Sequence, residues 1–154
     1  MGLALNEALK GKEYGAVTFE VTREHVDRFA DAIGEGGAIY RDAAAAKGAG
    51  YPEQVAPPTF VTTMQIMTSG QIVVDPELGL DYSRVVHGEQ SYEWRRPIVV
   101  GDVLSAVPRI ADIYAKGPNE FLVTEAEISD ASGEVVVITR STLLSRGTAA
   151  KGDA

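Results

Sequence analysis

The sequence predicts an α+β fold in which helices pack on one face of an antiparallel sheet. Helical apolar spacing is confined to the first half of the chain, period-2 alternation fills the second half from residue 82 onward, and short Gly/Pro/Asn/Asp turns join the strands. With 154 residues, 45% of them apolar and 23% charged, length and composition suit one domain with a substantial core. That domain is expected over residues 13–145, after a loosely held lead-in (1–12) and before a flexible tail (146–154).

The elements follow in order. Tyr14 to Val21 alternates, with Val17, Phe19 and Val21 on one face, and reads as a first strand. Thr22 is an N-cap and Glu24 sits near the positive end of the next helix. Val26, Phe29, Ala30 and Ile33 then recur at i, i+3, i+4 and i+7, a single apolar stripe that Gly34 stops. Glu35 to Tyr40 reads as a flexible turn. Arg41 to Lys47, with four alanines, is a second helix ending at Gly48. Pro57 and Pro58 open a third helix running to Met67, because proline lacks the N–H that a first turn leaves unpaired. Val61, Met64 and Met67, with Phe60 beside them, give that helix an apolar side.

Four strands complete the chain. Val86 to Arg96 alternates, with His87, Glu89, Ser91, Glu93 and Arg95 on one face and Val86, Gln90, Tyr92 and Trp94 on the other. Pro97 ends it. Val103 to Tyr114, Phe121 to Ser129 and Val135 to Leu144 are separated by turns at Lys116–Asn119 and Asp130–Gly133.

Several function classes are excluded. The net charge of -8 repels phosphate backbones and anionic membranes, so neither nucleic acid nor membrane is an expected partner. Without cysteine there is no disulfide framework, thiolate nucleophile or cysteine metal site. No apolar run approaches the roughly 18 residues of a membrane span, and the N-terminus lacks a signal-peptide pattern, so the protein is expected in the cytoplasm. Phosphate loops and nucleophile elbows are absent. His25 and His87 fall on unrelated elements, and no acidic spacing suits a metal.

Three stretches carry a family resemblance: Phe29 to Glu35 with Tyr40-Arg41-Asp42, Val55-Ala56-Pro57-Pro58, and His87 to Trp94 with Pro97 and Gly101-Asp102-Val103-Leu104. In this order they resemble the MaoC-like hydratase/dehydratase family over about Tyr14 to Leu144. The resemblance implies a hotdog fold, an antiparallel sheet wrapped around a central helix. It implies hydration or dehydration of an acyl thioester on coenzyme A or acyl carrier protein, without cofactor or metal. Active members use an Asp and a His to hold the water, and a backbone N–H at the start of the central helix to polarise the thioester carbonyl.

This chain departs at those positions. Glu35 stands for the Asp, Gly37 and Ala38 for an Asn-Pro, and Tyr40 for the His. Pro58 stands where the oxyanion glycine would be and has no N–H to donate. A phenol with pKa near 10 is a poor base at neutrality. Only the trailing acid is kept, as Asp42.

The pattern is similar to the non-catalytic subunit of heterodimeric (3R)-hydroxyacyl-carrier-protein dehydratases of long-chain, mycolic-type fatty-acid elongation. Ala56-Pro57-Pro58-Thr59-Phe60 matches its Ala-Pro-x-Thr-Phe stretch. By that resemblance Glu35 and Tyr40 mark a degenerate catalytic pair, and Pro58, Thr59, Phe60 and Met64 are candidates for acyl binding. The partner would be a catalytic hotdog subunit. Two alternatives stay open: a stand-alone hydratase using Glu35 and Tyr40, and a homodimeric acyl-binding module without chemistry. Bland readings stand beside these. Tyr40 packs under the glycine-rich turn while Glu35 is solvated; Phe60, Met64 and Met67 are core; His87 is a hydrogen-bonded strand residue rather than a substitute base; and Trp94 packs on the sheet rather than at a dimer contact.

Overall fold

A computed structural model describes residues 4–149. Five strands form one antiparallel sheet in the order β1-β3-β4-β5-β2: β1 (Val17–Glu20), β2 (Val85–Trp94), β3 (Val103–Lys116), β4 (Asn119–Ser129) and β5 (Val135–Ser145). The helices are α1 (Arg23–Ile33), α2 (Ala43–Gly48) and α3 (Thr62–Val73). The central helix, α3, lies against β3 and β4. This is the sheet around a central helix that the resemblance implies.

Local signals set most boundaries. Thr22 Oγ1 accepts the backbone N–H of His25, and the His25 ring folds back on the Thr22 N–H, so α1 begins with a capping box. Gly34 ends it in the left-handed conformation at φ 70°. The Gly117-Pro118 hairpin and the Asp130 turn also form where expected. At the latter, Asp130 Oδ1 accepts from the N–H groups of Ser132 and Glu134.

Elsewhere packing overrides the pattern. The first strand is shorter than Tyr14–Val21. Ile33 is 50% and Met67 41% exposed, so neither joins the core stripe predicted for its helix. α3 continues six residues beyond Met67, through Thr68-Ser69-Gly70, because Thr68 and Ile72 bury against the sheet. The turn at 35–40 contains a 3₁₀ turn, Ala38–Tyr40, pinned by Arg41 Nε donating to the Glu35 carbonyl at 2.7 Å.

The largest difference lies in β2. A bulge at Gly88 shifts the register between His87 and Glu89. Val85 and His87 therefore share the helix-facing side with Gln90, Tyr92 and Trp94, whereas the unbroken alternation put His87 with Glu89. A side chain at 88 would place its Cβ 3.2 Å from the Thr142 carbonyl, which favours glycine there.

Both ends of the described chain are held. Leu5 is buried, its N–H donates to Glu120 Oε1, and Gly11 donates to the Ile110 carbonyl. The stretch expected as a loose lead-in is thus part of a second core cluster with Ile72, Leu78, Ile113 and Leu122. Thr148 is buried and Ala149 donates to the Pro118 carbonyl, so residues 146–149 pack as well. Residues 1–3 and 150–154, the remainder of the expected lead-in and tail, lie outside the described residues.

Lys12 and the Tyr14 hydroxyl both reach Asp75 Oδ2, at 2.7 and 2.6 Å. Hydrogen bonding to Lys12, then to Tyr14, lowers the Asp75 pKa to about 2. A carboxylate depressed on folding stabilises above its unfolded pKa and loses that contribution as pH falls through the folded one. Asp130 is also lowered to about 2, by Ser132 and Arg96. Stability is therefore expected to fall between about pH 4 and pH 2, and Asp75→Asn to flatten that fall. Urea midpoints across this range test it; an unchanged slope in the variant would remove Asp75 from the acid transition.

Candidate functional site

Glu35 follows the left-handed Gly34, and its backbone N–H donates to the Ala30 carbonyl at 2.8 Å. Its carboxylate turns back on its own loop, where Oε1 accepts the Gly37 N–H at 2.7 Å. Tyr40 closes the same loop. A Cβ on Gly37 would lie 3.0 Å from both Glu35 Oε1 and the Tyr40 ring, so a glycine here lets these two side chains converge.

Tyr40 packs on Ala46, Val55 and Val99 with Ile39 and Tyr51. Its carbonyl is held by Gln54, a fully buried side chain whose Nε2 donates to Tyr40 O and to Asp27 Oδ1, each at 2.8 Å. Arg23 Nη1 donates to Gln54 Oε1. Asp42 caps α2 by accepting the Ala45 N–H at 2.7 Å.

Tyr40, with Ile39, Tyr51 and Val55, lines an open slot of about 330 Å³. Pro58, Trp94 and Ile98 line it as well, together with Arg95 and Arg96. The arginines do not make it an anion cradle. Arg96 binds Asp102 at 2.8 and 3.0 Å and Asp130 at 3.1 Å, and Arg95 pairs with Glu93. Hydrogen bonds from Asp102 first, then Asp130, raise the Arg96 pKa further above its ordinary value. The slot is apolar and aromatic-walled, as small-molecule sites usually are.

The four candidates for acyl binding separate. Pro58 lines the slot. Thr59 is exposed beside it, outside the lining. Phe60 and Met64 are fully buried in the main core and do not line the slot. Pro58 opens a 3₁₀ turn, Pro58–Val61, leading into α3, so the residue at this helix entry has no N–H.

A second, larger groove of about 700 Å³ runs between α3 and the edge strand β2. Its lining includes Thr62, Gln65, Gln90, Tyr92, His87 and Ser141. Sequence reading missed Gln65 and Thr62, which stand beside the apolar positions of α3. The one available signal was Gln90 and Tyr92 alternating with Trp94. His25 is an exposed capping residue, and the His87 ring lies 3.3 Å from Gln90. Among the described residues, no three His, Cys, Asp or Glu side chains are grouped to hold a metal.

Comparison with known proteins follows this geometry. The model of the FAS1-like, dehydratase domain region matches residues 8–139. A UPF0336 protein of Saccharopolyspora erythraea is 46% identical over 148 residues, covering 96% of this chain and 95% of that protein. The fold is similar to a chain of the Mycobacterium tuberculosis HadBC (3R-hydroxyacyl-ACP dehydratase) complex, with TM-score 0.78 and 26% identity over 88% of this chain and 96% of that one. A MaoC-like dehydratase superposes with TM-score 0.84 and 27% identity over 91% of this chain and 43% of that chain. The hotdog architecture is common to them.

Proposed function

The chain belongs to the family of FAS1-like dehydratase domain regions, and on that premise we propose that it is a non-catalytic, acyl-thioester-binding hotdog subunit. A second hotdog chain carrying the Asp/His pair completes the (3R)-hydroxyacyl-thioester dehydratase. One observation carries this reading. The slot is present, while the groups at the three positions that the resemblance assigns to the chemistry are unsuited to the reaction. The Glu35 carboxylate is engaged by the Gly37 N–H, Tyr40 is a phenol, and Pro58 offers no oxyanion donor.

The surface beside the slot supports a partner. Among the described residues β2 pairs only with β5 and is an edge of the sheet. Next to it Ile66 of α3 is 68% exposed. Pairing edge to edge with another hotdog sheet would cover both. The dehydratase to which this chain is similar is itself a complex.

The test mixes the purified chain with a hotdog protein bearing an intact Asp/His pair and follows hydration of a trans-2-enoyl thioester by its absorbance. The chain alone is expected to be inactive, and the mixture more active than the partner alone. Glu35→Gln should leave the mixture's rate within about twofold. Hydration by the chain alone at roughly 1 s⁻¹ or faster, abolished by Glu35→Gln, overturns the proposal.

A further inference from the structure

We propose that the slot recognises an uncharged planar ring, so that the thioester it takes carries an aryl-substituted acyl group rather than a straight alkyl chain. The proposal rests on reading the protein as an acyl-thioester-binding subunit and adds the class of acyl group. Tyr40, Tyr51 and Trp94 all line the slot. The chain has one tryptophan and six tyrosines, and the slot takes that tryptophan and two of the tyrosines. They come from separate parts of the fold: Tyr40 ends the 3₁₀ turn, Tyr51 lies in the loop after α2, and Trp94 is the last residue of β2.

Each ring is held in place by the protein itself. Gln54 Nε2 donates to the Tyr40 carbonyl at 2.8 Å, and Tyr40 and Tyr51 pack on one cluster with Ala46 and Val55. The Tyr51 N–H donates to the Ala46 carbonyl at 3.0 Å, which ties that ring to α2. Trp94 lies beside Tyr92, with ring centroids 6.4 Å apart, and the Tyr92 hydroxyl shares a hydrogen bond of 2.6 Å with Thr62 at the start of α3. Pro58 and Pro97 add two stiff saturated rings to the lining. Walls of this kind favour a stiff ligand. An alkyl chain gives up rotamer freedom to lie against them, whereas an aromatic ring has little to give up. Ring against ring also gains an oriented quadrupolar attraction beyond the area buried, which an alkyl chain of equal carbon count does not gain.

The charges select an uncharged ring. Aromatic side chains also attract cations, but the charged residues that line this slot are Arg95 and Arg96, and among the described residues no carboxylate lines it. A cationic group would meet two like charges there. An anionic group would compete with carboxylates that already hold both arginines, Asp102 and Asp130 on Arg96 and Glu93 on Arg95. At about 330 Å³ the slot is at the small end of small-molecule pockets, which suits a ring and its linker.

The test compares 3-phenylpropanoyl-CoA with nonanoyl-CoA, whose acyl groups have the same number of carbons, on the full-length chain and on its Trp94→Leu and Tyr51→Leu variants. Calorimetry gives the two dissociation constants. Trp94 is the one tryptophan of the chain, so its emission reports directly on the slot. The wild-type chain is expected to bind the phenyl ester about tenfold more tightly than the nonanoyl ester, with a change in Trp94 emission. Each leucine variant keeps an apolar side chain and is expected to lose most of that preference. The readout is the ratio of the two constants, which a general loss of folding does not move selectively. Nonanoyl binding as tight as phenyl binding in the wild type, or a ratio within about twofold of the wild-type value in both variants, overturns the ring site and leaves the functional reading standing. Phenyl-ester binding that leaves Trp94 emission unchanged does the same. Failure of the wild-type chain to bind either thioester overturns that reading and the ring site with it.

Discussion

Phe60→Ala is expected to destabilise the fold by about 3–5 kcal/mol, the largest single loss among these predictions. Phe60 is 1% exposed at the entry to α3. Its ring meets Phe29 of α1 edge-on, with centroids 5.6 Å apart at 89°, and Phe19 of β1 at 6.0 Å. One side chain therefore joins the first strand, the first helix and the central helix. Truncation loses the transfer free energy of the ring and leaves a cavity that three elements cannot close together. The aromatic contacts add to the loss beyond buried area. Thermal unfolding should shift down by on the order of 10 °C. A urea titration measures the loss directly, and a change below about 1 kcal/mol would mean that the three elements do not depend on this ring.

Gln54→Leu is expected to cost about 2–3 kcal/mol and to loosen the loop that carries Tyr40. Gln54 has no exposed surface and satisfies three partners: the Tyr40 carbonyl, Asp27 of α1 and Arg23. Leucine fills similar volume, so the change isolates the hydrogen bonds from packing. Arg23 and Asp27 lie near the surface and can recover water, whereas the Tyr40 carbonyl loses its donor inside the protein. Because Tyr40 walls the slot, thioester binding should weaken together with stability. Hydrogen exchange would report faster opening over residues 35–42 than over α3. Uniform acceleration across the chain would show that Gln54 supports the fold as a whole rather than the site.

The fold was more legible in the sequence than the site, and particular residues show why. Thr22 and Gly34 bound α1 because capping depends on neighbours within a few residues. Asp130 and Gly133 mark their turn for the same reason. The candidate positions Glu35, Tyr40 and Pro58 were readable from their offsets; in the structure Tyr40 and Pro58 line the slot, and Glu35 stands outside its lining. Gln54 was not singled out. It reads as an ordinary loop residue until α1 and the Tyr40 loop fold over it. Ile33 and Met67 fit a helical stripe by spacing, yet among the described residues they stay 50% and 41% exposed. Spacing states which residues share a face but not what that face meets.

By itself the sequence determined the element order, the α+β class and the hairpin turns. Each is local or a matter of residue identity, and short-range sterics and hydrogen bonding suffice for it. Only the tertiary structure decided the phase of β2, where the Gly88 bulge carries His87 to the helix side, and the side-by-side run of β2 with α3 that creates the groove. It also decided that Tyr14 meets Asp75, 61 residues away. Such contacts join distant segments, and their formation depends on the whole core closing. No window of residues contains the energy that selects them.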